Sequence, residues 1–315
     1  VGSEMCIRDR CNLSDLKLST AEIPLNTFIT LRDYYGHSAL GIYNGTQVSM
    51  LYDSTINLTH GFKPLNKSQS FLLHALTASP STIPIVIVKG AAGTGKTFCS
   101  LVAGFAQTKK LSWNNNSALY NRVLVSAPML DEKVRKIGAV KGSLEEKLNP
   151  YTAGILDNAN EILNFNKYFK YKGSIRNQNE DSKKQKRRNN NPELINTNPS
   201  ASPTQSSLKP DVLRDIMDDG VFRIISLDLL RGRTFTNAYY IVDEAQNIRP
   251  EEIKTLLTRI GKGSKVILSG DPSQTDAKGL NERYNGLTYA SELLKGKSFC
   301  YQIGFEEEES VRSPF

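Results

Sequence analysis

The chain has 315 residues, 39% of them apolar, four cysteines and a formal net charge of +8. Its mean hydropathy of −0.38 is on the polar side for a globular protein, which points to an ordinary domain diluted by a polar segment. No apolar run approaches the roughly 20 residues of a membrane-crossing helix. Cys6, Cys11, Cys99 and Cys300 show neither metal-ligand spacing nor disulfide density, so a reducing, cytoplasmic setting is expected.

The length leaves room for one large α/β domain and something smaller. Residues 1–10, VGSEMCIRDR, read as translated sequencing-adapter sequence, with the native start missing. Residues 11–60 form a small β-rich segment: Thr27 to Leu31, Ala39 to Tyr43 and Gln47 to Leu51 are strand-like, and Asn44-Gly45 is a hairpin signal. GFKPLNKSQS (61–70) then leads into an apolar helix containing Phe71, Leu72 and Leu76.

Ile85, Val86, Ile87 and Val88 are a short apolar run of the kind a buried parallel strand shows. Gly90, Ala91, Ala92, Gly93, Thr94, Gly95, Lys96 and Thr97 follow as GAAGTGKT, a complete Walker A phosphate loop. Glycines let the backbone curl around phosphates, Lys96 reaches the β- and γ-oxygens, and the Thr97 hydroxyl is suited to Mg2+. Phe98, Leu101, Val102 and Phe105 repeat at helical spacing, so the loop opens a helix whose free amides and dipole face the anion. A Gly-rich turn alone would say little; the order strand, loop, helix makes it a nucleoside-triphosphate site.

A strand is expected at 122–126, and a capping box at Ser143 and Glu146 starts a helix that Pro150 bends or restarts. Leu156, Ile162 and Leu163 continue a helical pattern to about Tyr168. From about 171 to 210 the sequence is rich in Asn, Ser, Lys and Pro without apolar period, which predicts a disordered surface insertion. Its cluster Lys183, Lys184, Lys186, Arg187 and Arg188 carries much of the positive charge, and reads as readily as a solvated tract as a binding site.

Strands are expected at Val221 to Ile225, Ala238 to Val242 and Lys265 to Leu268, with a further apolar run from Leu227 to Leu230. Pro250 opens a helix carrying Ile253, Leu256, Leu257 and Ile260 on one face. Alternating strands and helices predict an α/β fold: a RecA-like P-loop NTPase with a parallel sheet covered on both faces and its chemistry at the carboxyl ends of the strands.

Asp243 and Glu244 end the strand in YYIVDEAQN. An aspartate there can hold Mg2+, and the adjacent glutamate can orient and deprotonate water, which favours hydrolysis over transfer to a metabolite. GDPSQTD (270–276) follows the next strand, and Gln274 on that turn can touch the γ-phosphate and report its loss.

With these blocks in order, the chain resembles the PhoH-like ATPase family, relatives of the first core domain of superfamily 1 helicases. The resemblance runs from 62 to 314 through KPLNKSQ (63–69), GAAGTGKT, VSAP (125–128), KGSLEEKLNPY (141–151), LLRGRTF (229–235), YYIVDEAQN, TRIGKGSK (258–265), GDPSQTD and SVRSP (310–314). It implies that Gln69, in the position of the helicase Q motif, reads adenine, so ATP is the expected nucleotide and Mg2+ its metal. Arg231, Arg233, Arg259 and Arg312 become candidates for γ-phosphate sensing or an arginine finger. The chain shows no second helicase core domain, so Arg312 or Arg259 is expected to act in trans within a homo-oligomeric ring. The β-rich segment is similar to the part that joins a PIN-type ribonuclease domain to the ATPase in longer members. No acidic cluster precedes Gly61 to support nuclease activity. Ala139 and Val140 stand where relatives carry bulkier residues.

The leading function is an ATPase coupled to single-stranded nucleic acid, RNA by resemblance, with tyrosines and positive charge available for stacking and backbone contact. The alternative is an ATP-dependent regulatory or scaffold protein that unwinds nothing. A small-molecule kinase is disfavoured because the sequence shows no acceptor-binding lid motif and the Asp243, Glu244 pair suits attack by water, and neither NKSQ nor NKYF completes a guanine-specific NKxD.

Overall fold

The computed structural model describes residues 10–12, 23–32, 35, 37–51, 62–111, 118–126, 152–164, 212–227, 234–306 and 309. The expected capping box at Ser143 and Glu146, the 171–210 insertion, and Arg231, Arg233 and Arg312 lie outside these residues. Among the described residues, no helix is long and apolar enough to cross a membrane.

Ten strands are described. β1 (Arg10–Asn12), β2 (Phe28–Arg32), β3 (Ser38–Tyr43) and β4 (Gln47–Met50) form one antiparallel sheet in the order β1-β4-β3-β2. β5 (Ile85–Lys89), β6 (Arg122–Ser126), β7 (Phe222–Ile224), β8 (Ala238–Val242), β9 (Lys265–Gly270) and β10 (Cys300–Gly304) form a second sheet. Its order is β10-β5-β9-β8-β6-β7 and every pairing is parallel. The helices are α1 (Lys67–Thr77), α2 (Lys96–Ala106), α3 (152–164), α4 (Val212–Asp218), α5 (Pro250–Leu257) and α6 (Gly286–Leu293).

The apolar runs are buried on both faces, as their composition requires, because alternate side chains of each strand enter opposite cores. Val86, Val88, Tyr239, Ile241 and Ile267 face a core built with α1, α2, α3 and α4. Ile85, Ile87, Tyr240, Val242, Val266 and Leu268 face the other core, with α5 and α6. This is the expected α/β arrangement of a P-loop NTPase.

The short sheet docks on the β10 edge. Phe28 packs at 5.0 Å ring separation on Phe71 of α1 and at 5.3 Å on Tyr301 of β10. The Asn26 amide donates to the carbonyls of Lys297, Ser298 and Cys300 at 3.1, 3.1 and 3.3 Å. Gly45, at φ 98°, turns the Asn-Gly hairpin between β3 and β4. Arg10 of β1 pairs with Ser49 of β4.

Besides β1, three elements have no clear signal in the sequence. α4 buries only Ile216. α6 begins at Asn285, whose side chain accepts from the Thr288 N–H, and buries Leu287 and Ala290. β10 mixes buried Cys300 and Ile303 with Gln302, whose amide bonds Ser291 of α6. A polar residue in an edge strand obscured the alternation.

Lys265 at the start of β9 is wholly buried, and its ammonium donates to the Ala75 carbonyl near the end of α1 at 2.8 Å. Burial pushes it down to about 7. His74, beside it on α1, is also lowered, first by burial and then by the Lys265 charge. An unfolded lysine titrates near 10.4, so between about pH 7 and 10 the unfolded chain holds a proton that the folded chain lacks. Lys265 should therefore make stability rise with pH across that window, by at most about 1.4 kcal/mol per pH unit, and its contribution to the slope should vanish below it. Denaturant midpoints at several pH values should show this rise in the wild type and a flatter profile in Lys265→Met.

Candidate active site

The register of the large sheet assembles the site. Lys89 of β5 pairs with Gly270 of β9, and Ser126 of β6 with Val242 of β8, so the carboxyl ends of four strands line up. The phosphate loop, the Asp243-Glu244 pair and the 270–276 turn leave the sheet at this one edge.

Local sequence sets the loop. Gly93 and Gly95 adopt φ 83° and 85°, a left-handed conformation that favours glycine. Gly95 also caps α2, and a Cβ there would lie 3.0 Å from the Gln69 amide nitrogen. The Gly90 N–H donates to the Gly270 carbonyl at 3.2 Å, fastening the loop to β9. The Lys96 ammonium lies in the loop and donates to the carbonyls of Gly90 and Ala91, both at 2.7 Å.

Thr97 and Asp243, expected to share a metal, meet directly. The Thr97 hydroxyl lies 3.0 and 2.9 Å from the two Asp243 carboxylate oxygens. Asp243 is 7% exposed. Its carboxyl is pushed up to about 6, chiefly by burial and then by the Glu244 charge, while Thr97 and Lys96 oppose the shift. Among the described residues no cluster of three His, Cys, Asp or Glu could hold a metal by itself. One carboxylate and one hydroxyl suit Mg2+, which keeps waters and takes phosphate oxygens as further ligands.

Glu244 has φ 50° and ψ 41°, uncommon for a residue with a side chain. Its carboxylate accepts from the Gln246 amide at 2.6 Å. The same nitrogen donates to the Gln274 carbonyl at 3.0 Å, and Gln246 Oε1 accepts the Asp271 N–H at 3.1 Å. Gln274 thus lies on a turn tied to Glu244, with its own side chain exposed. Asn247 Oδ1 accepts from the N–H groups of Asp276 and Ala277 at 2.8 and 3.2 Å. The sequence gives Gln246 and Asn247 no role of their own; their signal is their place in the YYIVDEAQN block, just past the acidic pair.

Gln69 sits beside the loop with its amide engaged at both ends. Nε2 donates to the Thr94 carbonyl at 3.1 Å and Oε1 accepts the Leu65 N–H at 2.8 Å. It braces the loop against the segment that precedes α1.

Arg259 is placed apart from these groups. Its carbonyl accepts the Phe235 N–H at 3.0 Å, just ahead of β8, at the amino-terminal edge of the sheet. Strands of five residues separate the two edges by roughly 15 Å. Its Nε is buried without a hydrogen-bond partner among the described residues, in a small cavity lined by Phe235, Tyr240 and Leu256.

Residues 62–315 match the family described as PhoH-like protein. Protein PhoH2 of Bacillus subtilis is 32% identical over 277 residues, covering 86% of this chain and 51% of the relative. A PhoH-like protein of Synechocystis sp. is 32% identical over 228 residues, covering 71% of this chain and 52% of the relative. The chain spans about half the length of the curated relatives it matches. Among solved structures, the HK97 bacteriophage large terminase is similar at 14% identity and a TM-score of 0.40, over 78% of this chain and 40% of that one. With a complete phosphate loop at the carboxyl edge of a parallel sheet and the family match running through it, the chain belongs to the PhoH-like protein family.

Proposed function

We propose that the chain binds ATP with Mg2+, hydrolyses it, and couples hydrolysis to the binding or remodelling of single-stranded nucleic acid, with RNA the favoured polymer. The observation that carries the hydrolytic part is the contact of Thr97 with both Asp243 oxygens beneath the phosphate loop, with Glu244 next in sequence. Bound Mg2+ would neutralise charge developing on the β- and γ-phosphates. Thr97 and Asp243 would hold it. Lys96 exchanges its loop carbonyls for phosphate oxygens, the amides opening α2 face the anion, and Glu244 takes a proton from water. Gln274 follows the γ-phosphate from its turn. Adenine recognition by Gln69 requires its amide to leave Leu65 or Thr94 when nucleotide binds.

The far-edge position of Arg259 puts it a strand length from the loop of its own chain, so a role for it in hydrolysis is a role in trans. Arg259 or Arg312 of a neighbouring copy, in a homo-oligomeric ring, would then complete the site. Specific ATPase activity should rise with protein concentration; a homogeneous monomer with full, concentration-independent turnover would sink the ring.

The nucleic-acid part draws on the family resemblance and on the net charge of +8. ATP hydrolysis by the purified chain, measured with and without single-stranded RNA and DNA, tests it. The expected result is stimulation by RNA that falls steeply with added salt as counterion release weakens. ATP binding unmoved by either polymer would instead favour an ATP-dependent regulatory or scaffold role.

A further inference from the structure

Gln246 is fully enclosed, at 0% exposure, and its amide joins three parts of the site. Nε2 donates to the Glu244 carboxylate and the Gln274 carbonyl, at 2.6 and 3.0 Å, while Oε1 accepts the Asp271 N–H at 3.1 Å. The fit is close, for a Cβ at Gly270 would collide with Gln246 Oε1. An amide at this position neither gives nor takes a proton near neutral pH, so its contribution is geometric. The left-handed backbone of Glu244 adds to this, since such a conformation persists where its surroundings over-determine it.

We infer that Gln246 is a positioning residue: it aims the Glu244 carboxylate and holds it in register with the Asp271–Gln274 turn, so that base and γ-phosphate sensor move as one unit. The inference rests on the ATP-hydrolysis reading above. A planar group bonded to all three partners passes a shift of the turn to the carboxylate, and a displacement of about 1 Å at a reacting group can cost roughly a hundredfold in rate. Asn247 offers the contrast. It holds the next stretch of the same loop through Asp276 and Ala277, and its Oδ1 bonds do not involve Glu244.

The test compares the full chain with its Gln246→Glu, Gln246→Ala and Asn247→Ala variants. The readouts are kcat and KM for Mg-ATP, equilibrium binding of a fluorescent ATP analogue, the unfolding midpoint, and hydrogen exchange across 270–277 without nucleotide. Glutamate keeps an acceptor for the Asp271 N–H but replaces the donor to Glu244 with a like charge. Alanine removes both. Both Gln246 variants should lose about tenfold to a hundredfold in kcat and keep analogue affinity within about threefold of wild type. Asp271 exchange should accelerate in Gln246→Ala alone. Asn247→Ala should loosen Asp276 and Ala277 and lower kcat by less than about threefold.

A Gln246→Glu kcat within twofold of wild type overturns the inference. So does a fall in analogue affinity and unfolding midpoint in step with kcat, which marks a purely structural amide. A wild-type chain that binds the analogue but turns over no ATP overturns the hydrolysis reading and this inference together, whereas wild-type turnover with an insensitive Gln246→Glu overturns this one alone.

Discussion

Glu244→Gln should lower ATP turnover by about 10²- to 10⁴-fold, the range a positioned general base contributes. The substitution keeps the shape of the side chain and an oxygen to accept the Gln246 amide bond, now 2.6 Å long. It removes the basic oxygen that would take the proton from water. Because Thr97, Asp243 and Lys96 are untouched, nucleotide affinity should hold or improve, as one negative charge near the phosphates has gone. Single-turnover hydrolysis measured beside equilibrium binding of an ATP analogue separates the two effects. Hydrolysis at the wild-type rate would show that Glu244 is not the base.

Lys96→Ala should fail earlier, at binding. Lys96 is 9% exposed and its ammonium makes two 2.7 Å bonds to loop carbonyls, so it is already placed where phosphate oxygens would replace them. Hydrogen bonds to charged groups contribute about 1.5–3 kcal/mol each, so losing the cation should weaken ATP binding roughly 10- to 100-fold. A further loss of about 10²- to 10³-fold in turnover should follow from the missing charge in the transition state. Titration calorimetry with ATP reads the first effect and saturating-substrate assays the second. Affinity equal to wild type would remove Lys96 from the phosphate site.

The two variants draw on parts of the site that differ in how far sequence exposes them. Lys96 is legible because strand, glycine-rich loop and helix are contiguous, and each local preference points the same way. Glu244 is legible as the acid after an apolar strand. Gln246 is not: in sequence it looks like any polar loop residue, and its burial arises only when the 270–276 turn folds over it. Gln69 shows the reverse case. Family resemblance implies contact with adenine, and only the folded chain shows that both ends of its amide also brace the loop, between Leu65 and Thr94. α6 and β10 stayed hidden because Gln302 and Ser291 satisfy one another across the β10 edge, where the apolar alternation is weakest.

The sequence by itself determined the phosphate loop, the four strands around it and the identity of the acidic pair, since all of these follow from backbone preferences and side-chain period over short stretches. Only the tertiary structure decided which of these groups meet. Thr97 and Asp243 are 146 positions apart and touch because β9 inserts between β5 and β8 in a fixed register. The same register sends Arg259 to the opposite edge of the sheet. Strand order is settled by how two hydrophobic faces are covered at once, a property of the packed chain that no single segment carries.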